Sequence, residues 1–162
     1  MYSWGRGAGG RLGHGDELDC VEPRLIQSLC VVEDVDEWDG SDGNRRNGVQ
    51  IVMAACGWSH SACLSAGGAV YTFGRGRDGA LGHANTLDVL QPKRVQYPGW
   101  GTSSRPLGGA SERSNAGNGD GDSQSLMDRV VQVSAGSCHT AVLTIRRHVW
   151  TWGWGQHGQV RA

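Results

Sequence analysis

The feature that most constrains this sequence is a glycine pattern that occurs three times. The pattern G-x-G-x-x-G follows a short aromatic run in the segments Tyr2–His14, Tyr71–His83 and Trp150–Val160. The first two copies begin 69 positions apart and the last two 79 positions apart. A chain that repeats itself in register is expected to build the same structural unit several times.

Residues outside the glycine pattern keep the same offsets. Leu18-Asp19 corresponds to Leu87-Asp88 at the first offset, and the segment 56–64 (CGWSHSACL) corresponds to 135–143 (AGSCHTAVL) at the second. Two polar segments, 34–48 and 98–128, lengthen the units to different extents. Without them the unit is about 50 residues long, within the usual range for repeat architectures. We expect both inserts to be flexible surface loops and the second to be disordered.

Each unit consists of short apolar runs separated by turn signals, with no sustained helical period. Glycine makes up 27 of the 162 residues, which favours many tight turns over helices. The pattern therefore predicts an all-β fold: a partial β-propeller of about two four-stranded blades plus partial repeat ends. A β-solenoid is the alternative, but its repeats are usually shorter. The predicted strands are Val49–Cys56, Ser61–Ser65, Ala69–Phe73 and Pro92–Tyr97, then Arg129–Ala135, His139–Ile145 and His148–Trp152.

The segment Gly74–Gly79 also matches the fingerprint of a dinucleotide-binding loop. Such a loop needs a helix that begins at its third glycine, so that backbone N–H groups face the phosphate. Here Gly79 is followed by ALGHANTLD, in which Gly82 and Asn85 disfavour a helix. Three copies in register are better explained as a strand-end turn made once per unit, so we predict no phosphate site.

No set of residues assembles a catalytic or metal site. His60 and His139 occupy matched positions, which favours a structural histidine whose ring bonds to backbone and holds a turn in each unit. His14 and His83 form a second matched pair. Cys56, Cys63 and Cys138 lie near these histidines, but their spacing fits no standard zinc pattern. We predict a protein that is not an enzyme, with no catalytic, cofactor-binding or metal-binding residues and no cofactor.

Charge and cysteine content limit the environment and the partners. The formal net charge of −1 gives no overall field that would attract nucleic acid or an anionic membrane. No segment resembles a signal peptide or a membrane span. The cysteine number, five, is odd, and no C-x-x-C pair occurs, which indicates reduced thiols. We therefore predict a cytoplasmic or nuclear protein, or both, that does not bind membranes.

The repeated motifs resemble those of the regulator of chromosome condensation family. The resemblance lies in the GRGRDGALGH turn, in Pro92 after it, and in the segments AACGWSHSACL and SAGSCHTAVL, which resemble A-x-G-x-x-H-[ST]-x-x-L. It covers essentially all of the chain outside the inserts and implies a propeller, seven-bladed in well-known members. We interpret residues 1–162 as a single incomplete propeller domain, with units at about 2–70 and 71–149 and a third that starts at 150.

The resemblance implies a function based on binding. We expect a protein–protein interaction or scaffold module whose partner is another protein: a small GTPase, histones or a ubiquitin-pathway protein. The partner-binding residues are unknown, and contact with nucleic acid is expected only indirectly through chromatin. The alternative is a guanine-nucleotide exchange factor for a Ran-type small GTPase that also binds chromatin.

A second alternative is a tryptophan-based ultraviolet-B photoreceptor. The segment GWSHS at Trp58 resembles the GWRHS motif of the plant photoreceptor in this family. Ser59 stands where that motif has Arg, and Ser137 stands at the position of Trp58 in the next unit. These two departures weaken the case for light absorption by coupled tryptophans.

About two unit periods are present, which is fewer than a closed propeller needs. In the third copy, Arg161 and Ala162 replace the Gly-His of the earlier copies. We therefore interpret the chain as a fragment of a longer propeller and expect self-association through open blade edges. A single monomeric elution peak with cooperative melting above ~60 °C would contradict this expectation.

Overall fold

The structure, a computed structural model, describes residues 1–30, 48–96, 129–156 and 158. Those residues form nine β-strands and three single 3₁₀ turns, and none of the described helical turns is long and apolar enough to cross a membrane. The predicted insert 98–128 and nearly all of the insert 34–48 lie outside the described residues. The strands are β1 (Tyr2–Gly5), β2 (Cys20–Leu25), β3 (Ile51–Cys56), β4 (His60–Ser65), β5 (Val70–Gly74), β6 (Val89–Arg94), β7 (Val130–Ala135), β8 (His139–Thr144) and β9 (Val149–Gly153).

The strands form three antiparallel sheets in chain order. The first sheet contains β1 and β2, the second β3-β4-β5-β6, and the third β7-β8-β9. Every pair of neighbouring strands is antiparallel, and within each sheet every strand pairs with the next one along the chain. The second sheet is one complete four-stranded blade. The predicted all-β partial propeller is therefore confirmed.

The fourth strand of the blade differs from its prediction. We predicted Pro92–Tyr97, with Pro92 at the first position, but β6 begins at Val89 and contains Pro92 in its interior. The proline is tolerated because β6 is an edge strand and because its register with β5 shifts between Thr72 and Gly74. The six residues of β2, which contains Pro23, have the same kind of irregular pairing with β1.

The core lies between sheets that pack face to face. All six residues of β4 are buried, since this strand is covered on both sides. One apolar cluster fills the space between the first and second sheets, and a larger one lies between the second and third. The first contains Ile26, Leu29, Cys63 and Phe73; the second contains Ala62, Leu64, Val70, Val95, Val130, Val133, Val142 and Trp152.

The aromatic residues one position before the ends of β1, β5 and β9 show how the sheets stack. Phe73 is fully buried and Trp152 is 8% exposed, whereas Trp4 at the equivalent position is 58% exposed. Phe73 lies against Gly13 of the first unit, and Trp152 lies against Gly82 of the second. Each unit therefore places its aromatic ring on the glycine turn of the unit before it. No described sheet covers Trp4.

Candidate functional site

The ends of the strands define two opposite faces of the molecule. The Trp58 face contains the turns 57–59 and 136–138 and the long loops 6–19 and 75–88. The insert face contains the turns 66–69 and 145–148 and the points where the chain leaves and re-enters the described structure, at 30 and 48 and at 96 and 129. Both inserts are thus attached to one face, because every strand that precedes an insert ends there.

The glycine-rich loops on the Trp58 face hold a carboxylate instead of a ligand phosphate. The N–H of Gly7 donates to Oδ1 of Asp19 at 2.8 Å, and the N–H of Gly76 donates to Oδ1 of Asp88 at 3.0 Å. Asp78, with φ of 62°, interrupts the single 3₁₀ turn that follows Gly76, so no helix begins there. The interpretation as a strand-end turn is confirmed, and the amide that a phosphate would need already has an anionic partner.

A hydrogen-bonded chain crosses the joint between the second and third sheets. The hydroxyl of Thr140 donates to the carbonyl oxygen of Ala80 at 2.8 Å, and Nε2 of His60 lies 2.9 Å from the same hydroxyl. Since the hydroxyl proton is already donated to a carbonyl, Nε2 of His60 must carry the hydrogen and donate it. The indole Nε1 of Trp152 also donates to Ala80 O, at 2.9 Å. Four groups from two neighbouring sheets are thus joined.

The same chemistry recurs at His14 and His83. The hydroxyl of Ser3 donates to Leu12 O at 2.6 Å and lies 3.1 Å from Nε2 of His14. The hydroxyl of Thr72 donates to Leu81 O at 2.7 Å and lies 3.1 Å from Nε2 of His83. The prediction that the ring of His60 bonds to backbone atoms was therefore wrong. The ring bonds to a hydroxyl, and that of His60 bonds to one in the next sheet.

His60 is not suited to acid–base catalysis. Burial lowers its pKa below the usual value, and the nearby His139 lowers it further. The ring is neutral at pH 7, and its Nδ1 is buried with no hydrogen-bond partner among the described residues. A catalytic base needs a proton donor within reach, and the group that Nε2 contacts is a hydroxyl already committed to Ala80.

The cysteines are free thiols, and they are dispersed. Burial raises the pKa of Cys63 to about 12, so this thiol stays protonated and unreactive. No three histidine, cysteine, aspartate or glutamate residues in the described ranges come together as a metal site would require. Cys56, His60, Cys63, Cys138 and His139 therefore do not form a zinc-binding group.

Trp58 is the large apolar residue most clearly presented by the Trp58 face. Its side chain is 78% exposed. Its backbone is fixed on both sides, because its N–H donates to Ser137 O at 3.3 Å and its carbonyl accepts from a guanidinium nitrogen of Arg11 at 2.9 Å. The three sheets thus meet at this tryptophan: Arg11 comes from the first sheet, Trp58 from the second and Ser137 from the third. An exposed tryptophan on a held backbone is a typical anchor for a protein partner.

Stacked antiparallel sheets with one glycine turn and one aromatic ring per joint define a repeat-built propeller. Two family models described as "Regulator of chromosome condensation (RCC1) repeat" match the chain, one at residues 52–80 and 130–159, the other at 1–35 and 67–101. The chain belongs to the family of proteins built from these repeats.

Relatives with known names share this repeat along nearly the whole chain. The human E3 ubiquitin-protein ligase HERC2 is 34% identical over 162 residues, which are 99% of this chain and 2% of HERC2. The ultraviolet-B receptor UVR8 of Arabidopsis thaliana is 30% identical over 161 residues, 99% of this chain and 26% of the receptor. The chain therefore spans only a small part of each relative.

Solved structures support the fold. Human WBSCR16 aligns with a TM-score of 0.62 at 21% identity, over 95% of this chain and 28% of that one. Prp20p from Saccharomyces cerevisiae aligns with a TM-score of 0.61 at 20% identity, over 98% of this chain and 29% of that one. Identities this low are evidence for the shared architecture alone.

Proposed function

We propose that this chain is a protein-binding module, a scaffold of stacked RCC1 repeats that presents the Trp58 face to another protein. Residues 1–162 act as one propeller domain, with units that begin near residues 2, 71 and 150. We place the protein in the cytoplasm, the nucleus or both. The partner belongs to one of three classes: a small GTPase, histones or a ubiquitin-pathway protein.

The observation that carries this proposal is the combination of exposure and rigidity at Trp58. The repeated polar groups of the joints, such as Nε2 of His60 and the hydroxyl of Thr140, already have hydrogen-bond partners within the structure. Trp58 instead projects its side chain to solvent while its backbone is held from both neighbouring units. Because the backbone at Trp58 is already held, contact with a partner costs less backbone entropy there than it would in a mobile loop.

The test compares two exposed side chains. A photo-crosslinking amino acid at position 58 identifies the partner, and the purified partner is then titrated against the natural chain, Trp58→Ala and Val21→Ala. Val21 is 92% exposed on β2 and serves as the matched control. We expect Trp58→Ala to weaken binding about 30-fold, as for a central anchor, and Val21→Ala to leave it unchanged. Equal affinities for all three proteins would refute the role of the Trp58 face.

Nucleotide exchange on a Ran-type GTPase is the second candidate function. It is suggested by membership of the RCC1-repeat family; Prp20p, which shares the fold, was described together with its binding to Gsp1p and histones. An exchange factor accelerates release of labelled GDP from such a GTPase, whereas a scaffold binds its partner without that effect. Stopped-flow release of labelled GDP with and without the chain separates the two functions.

Ultraviolet-B reception is supported only by the sequence relationship to UVR8. Ser137 occupies the position of Trp58 in the next unit, so these two matched positions supply a single indole. If the chain is a photoreceptor, a dimer must dissociate under ultraviolet-B light. Size-exclusion chromatography before and after irradiation tests this, and an unchanged elution volume would contradict a role in ultraviolet-B reception.

A further inference from the structure

The two edge strands of the complete blade differ in how well they are protected against pairing with another chain. At one edge, β6 contains Pro92, Lys93 and Arg94. At the other edge, β3 has the sequence IVMAAC, with neither a proline nor a charged residue. Exposed edges are usually protected by charge or proline, because their N–H and C=O groups otherwise accept a further strand. No described strand pairs with the outer edge of β3.

The backbone groups of Ala54 are directed toward this outer edge. The N–H of Gly57 donates to His60 O at 2.9 Å, which closes the turn between β3 and β4. Along an antiparallel ladder, hydrogen-bonded pairs alternate with pairs that share no hydrogen bond. Ala54 lies opposite Cys63, the third pair along the ladder from Gly57, and this is a pair without hydrogen bonds. The N–H and C=O of Ala54 therefore point away from β4.

The strand β7 shows what such an N–H can contact. Val133 of β7 stands where β3 has Ala54, one unit later. The N–H of Val133 donates to Sδ of Met53 at 3.4 Å, so a methionine of the second sheet covers the edge of β7. In the described part of the chain, no corresponding acceptor contacts the N–H of Ala54. Val133 is accordingly 4% exposed, whereas Ala54 is an exposed residue.

A cavity lies beside the edge of β3. Its volume is about 280 Å³, and it is lined by the apolar side chains of Met1, Ile51, Val52, Met53 and Ala54. Such a lining accepts an apolar side chain and offers no partner to a charged one. Methionine suits it because the side chain is unbranched and flexible, and because its sulfur can accept a hydrogen bond from a backbone N–H.

We propose that the outer edge of β3 binds an extended segment of a partner protein, which adds to the sheet as a strand and places a methionine or another unbranched apolar side chain in the cavity. Backbone hydrogen bonds supply the affinity in such a complex, and the cavity supplies the specificity. The cavity lies along β3, and Trp58 lies in the turn after this strand, so the two sites are separate.

The experiment measures fluorescence anisotropy of a labelled peptide of alternating threonine and valine with a central methionine and a lysine at each end. It is titrated with the natural chain and with Ala54→Pro. Proline removes an N–H of the outer edge and none of the hydrogen bonds between β3 and β4. We expect Ala54→Pro to lose about tenfold in affinity. Ala54→Leu keeps the N–H but fills the cavity, and we expect the same loss without a lower Tm.

The matched control uses two exposed valines at the same position of successive units. Val52 of β3 is 57% exposed and lines the cavity, and Val131 of β7 is 43% exposed. We expect Val52→Asp to weaken peptide binding about tenfold and Val131→Asp to change it less than about twofold. A peptide whose central methionine is replaced by aspartate should not bind the natural chain.

Several results would overturn the proposal. The peptide does not bind saturably, Ala54→Pro binds it as well as the natural chain, or Val131→Asp weakens binding as much as Val52→Asp. In sedimentation velocity, a dimer of the natural chain that is lost in Ala54→Pro would make a second copy the occupant. Binding that appears only after residues 34–48 are replaced by a Gly-Ser linker would make this segment the occupant. Trp58→Ala should leave peptide binding unchanged, so failure here is distinguishable from failure of the proposed function.

Discussion

The two joints between sheets use the same positions with different chemistry. At the first joint Phe73 packs against Gly13, and the hydroxyl of Ser61 donates to Arg11 O at 2.8 Å. At the second joint Trp152 and Thr140 take the corresponding places. Both donate to Ala80 O, and His60 adds a third polar group. The first joint thus combines an aromatic contact with separate hydrogen bonds, such as those from Ser61 to Arg11 O and from Arg11 to Trp58 O. The second joint contains a connected polar network around a similar aromatic contact.

This difference shows which parts of the repeat are obligatory. A glycine under the ring and a hydroxyl that bonds to the preceding loop are present at both joints. The indole N–H and the histidine are additions to the second joint. Because each buried group of the network depends on the others, we expect the second joint to be the more sensitive to single polar substitutions.

The largest effect is expected from Gly82→Ala at the second joint. A Cβ there would lie 2.7 Å from Nε1 of Trp152, and φ at this residue is 73°. Overpacking and left-handed strain together should cost about 2–4 kcal/mol in the free energy of unfolding, measured by urea denaturation. The control is Gly79→Ala, which has φ of 74° but no atom within 4 Å and should lose only about 1 kcal/mol. Equal losses would mean that the ring contact is unimportant.

The next effect compares the hydroxyls of the two joints. Thr140→Val leaves Nε2 of His60 buried without its partner and should cost about 1–3 kcal/mol. Ser61→Ala at the first joint removes a single hydrogen bond and should cost about 0.5–1.5 kcal/mol. The measurement is chemical denaturation of both variants under the same conditions. A larger loss for Ser61→Ala would reverse the comparison.

The third prediction concerns pH. The pKa of His60 is lowered by burial and by His139, so the folded state binds fewer protons than the unfolded state below about pH 6.5. Stability is therefore fully present above that pH and is lost as the pH falls below it. Burial and the charge of Lys93 lower the pKa of His83 in the same direction, so His83 adds to the loss.

The variant His60→Gln tests how much of this pH dependence of stability comes from the second joint. The slope of unfolding free energy against pH, measured from pH 7.5 to 5, should become shallower in this variant, whatever its absolute stability. His83→Gln provides the comparison. If His60→Gln retains the full slope, the second joint does not sense protons.

The smallest effect is expected in the loop next to the second joint. Ala84 is exposed and has φ of 57°, where the first unit has Gly15 with φ of 88°. Ala84→Gly removes about 1 kcal/mol of left-handed strain and adds about 0.5 kcal/mol of chain entropy to the unfolded state, a net gain of about 0.5 kcal/mol. Differential scanning calorimetry should show a slightly higher Tm. A lower Tm would show that the loop relaxes its strain elsewhere.

The sequence predicted the features that depend on local conformation. Gly74 and Gly153 end their strands with φ of 108° and 112°, a region that glycine enters freely, so their recurrence marked the turns. The all-β class followed from short runs bounded by such turns. The predictions that were wrong concerned contacts between residues far apart in the sequence. Thr140 lies 80 positions from His60, and no local pattern shows that their sheets face each other.

The predicted start of β6 was wrong for a different reason. Proline is expected at the beginning of a strand, and the irregular pairing that admits Pro92 to the interior of β6 leaves no signal of its own in the sequence. The fixed backbone of Trp58 was also beyond prediction, because it depends on Arg11 and Ser137 in the neighbouring sheets.

The hydrogen bond between Val49 N–H and Leu29 O, 2.8 Å long, pins together the two ends of the first insert. The spacing of the flanking sheets is thereby decoupled from the number of residues in between. A foreign epitope, a fluorescent reporter or an entire second domain could be inserted between Leu29 and Val49 without changing how the sheets stack. Evolution has the same freedom, so the repeat can acquire new segments at this position while its scaffold stays as it is.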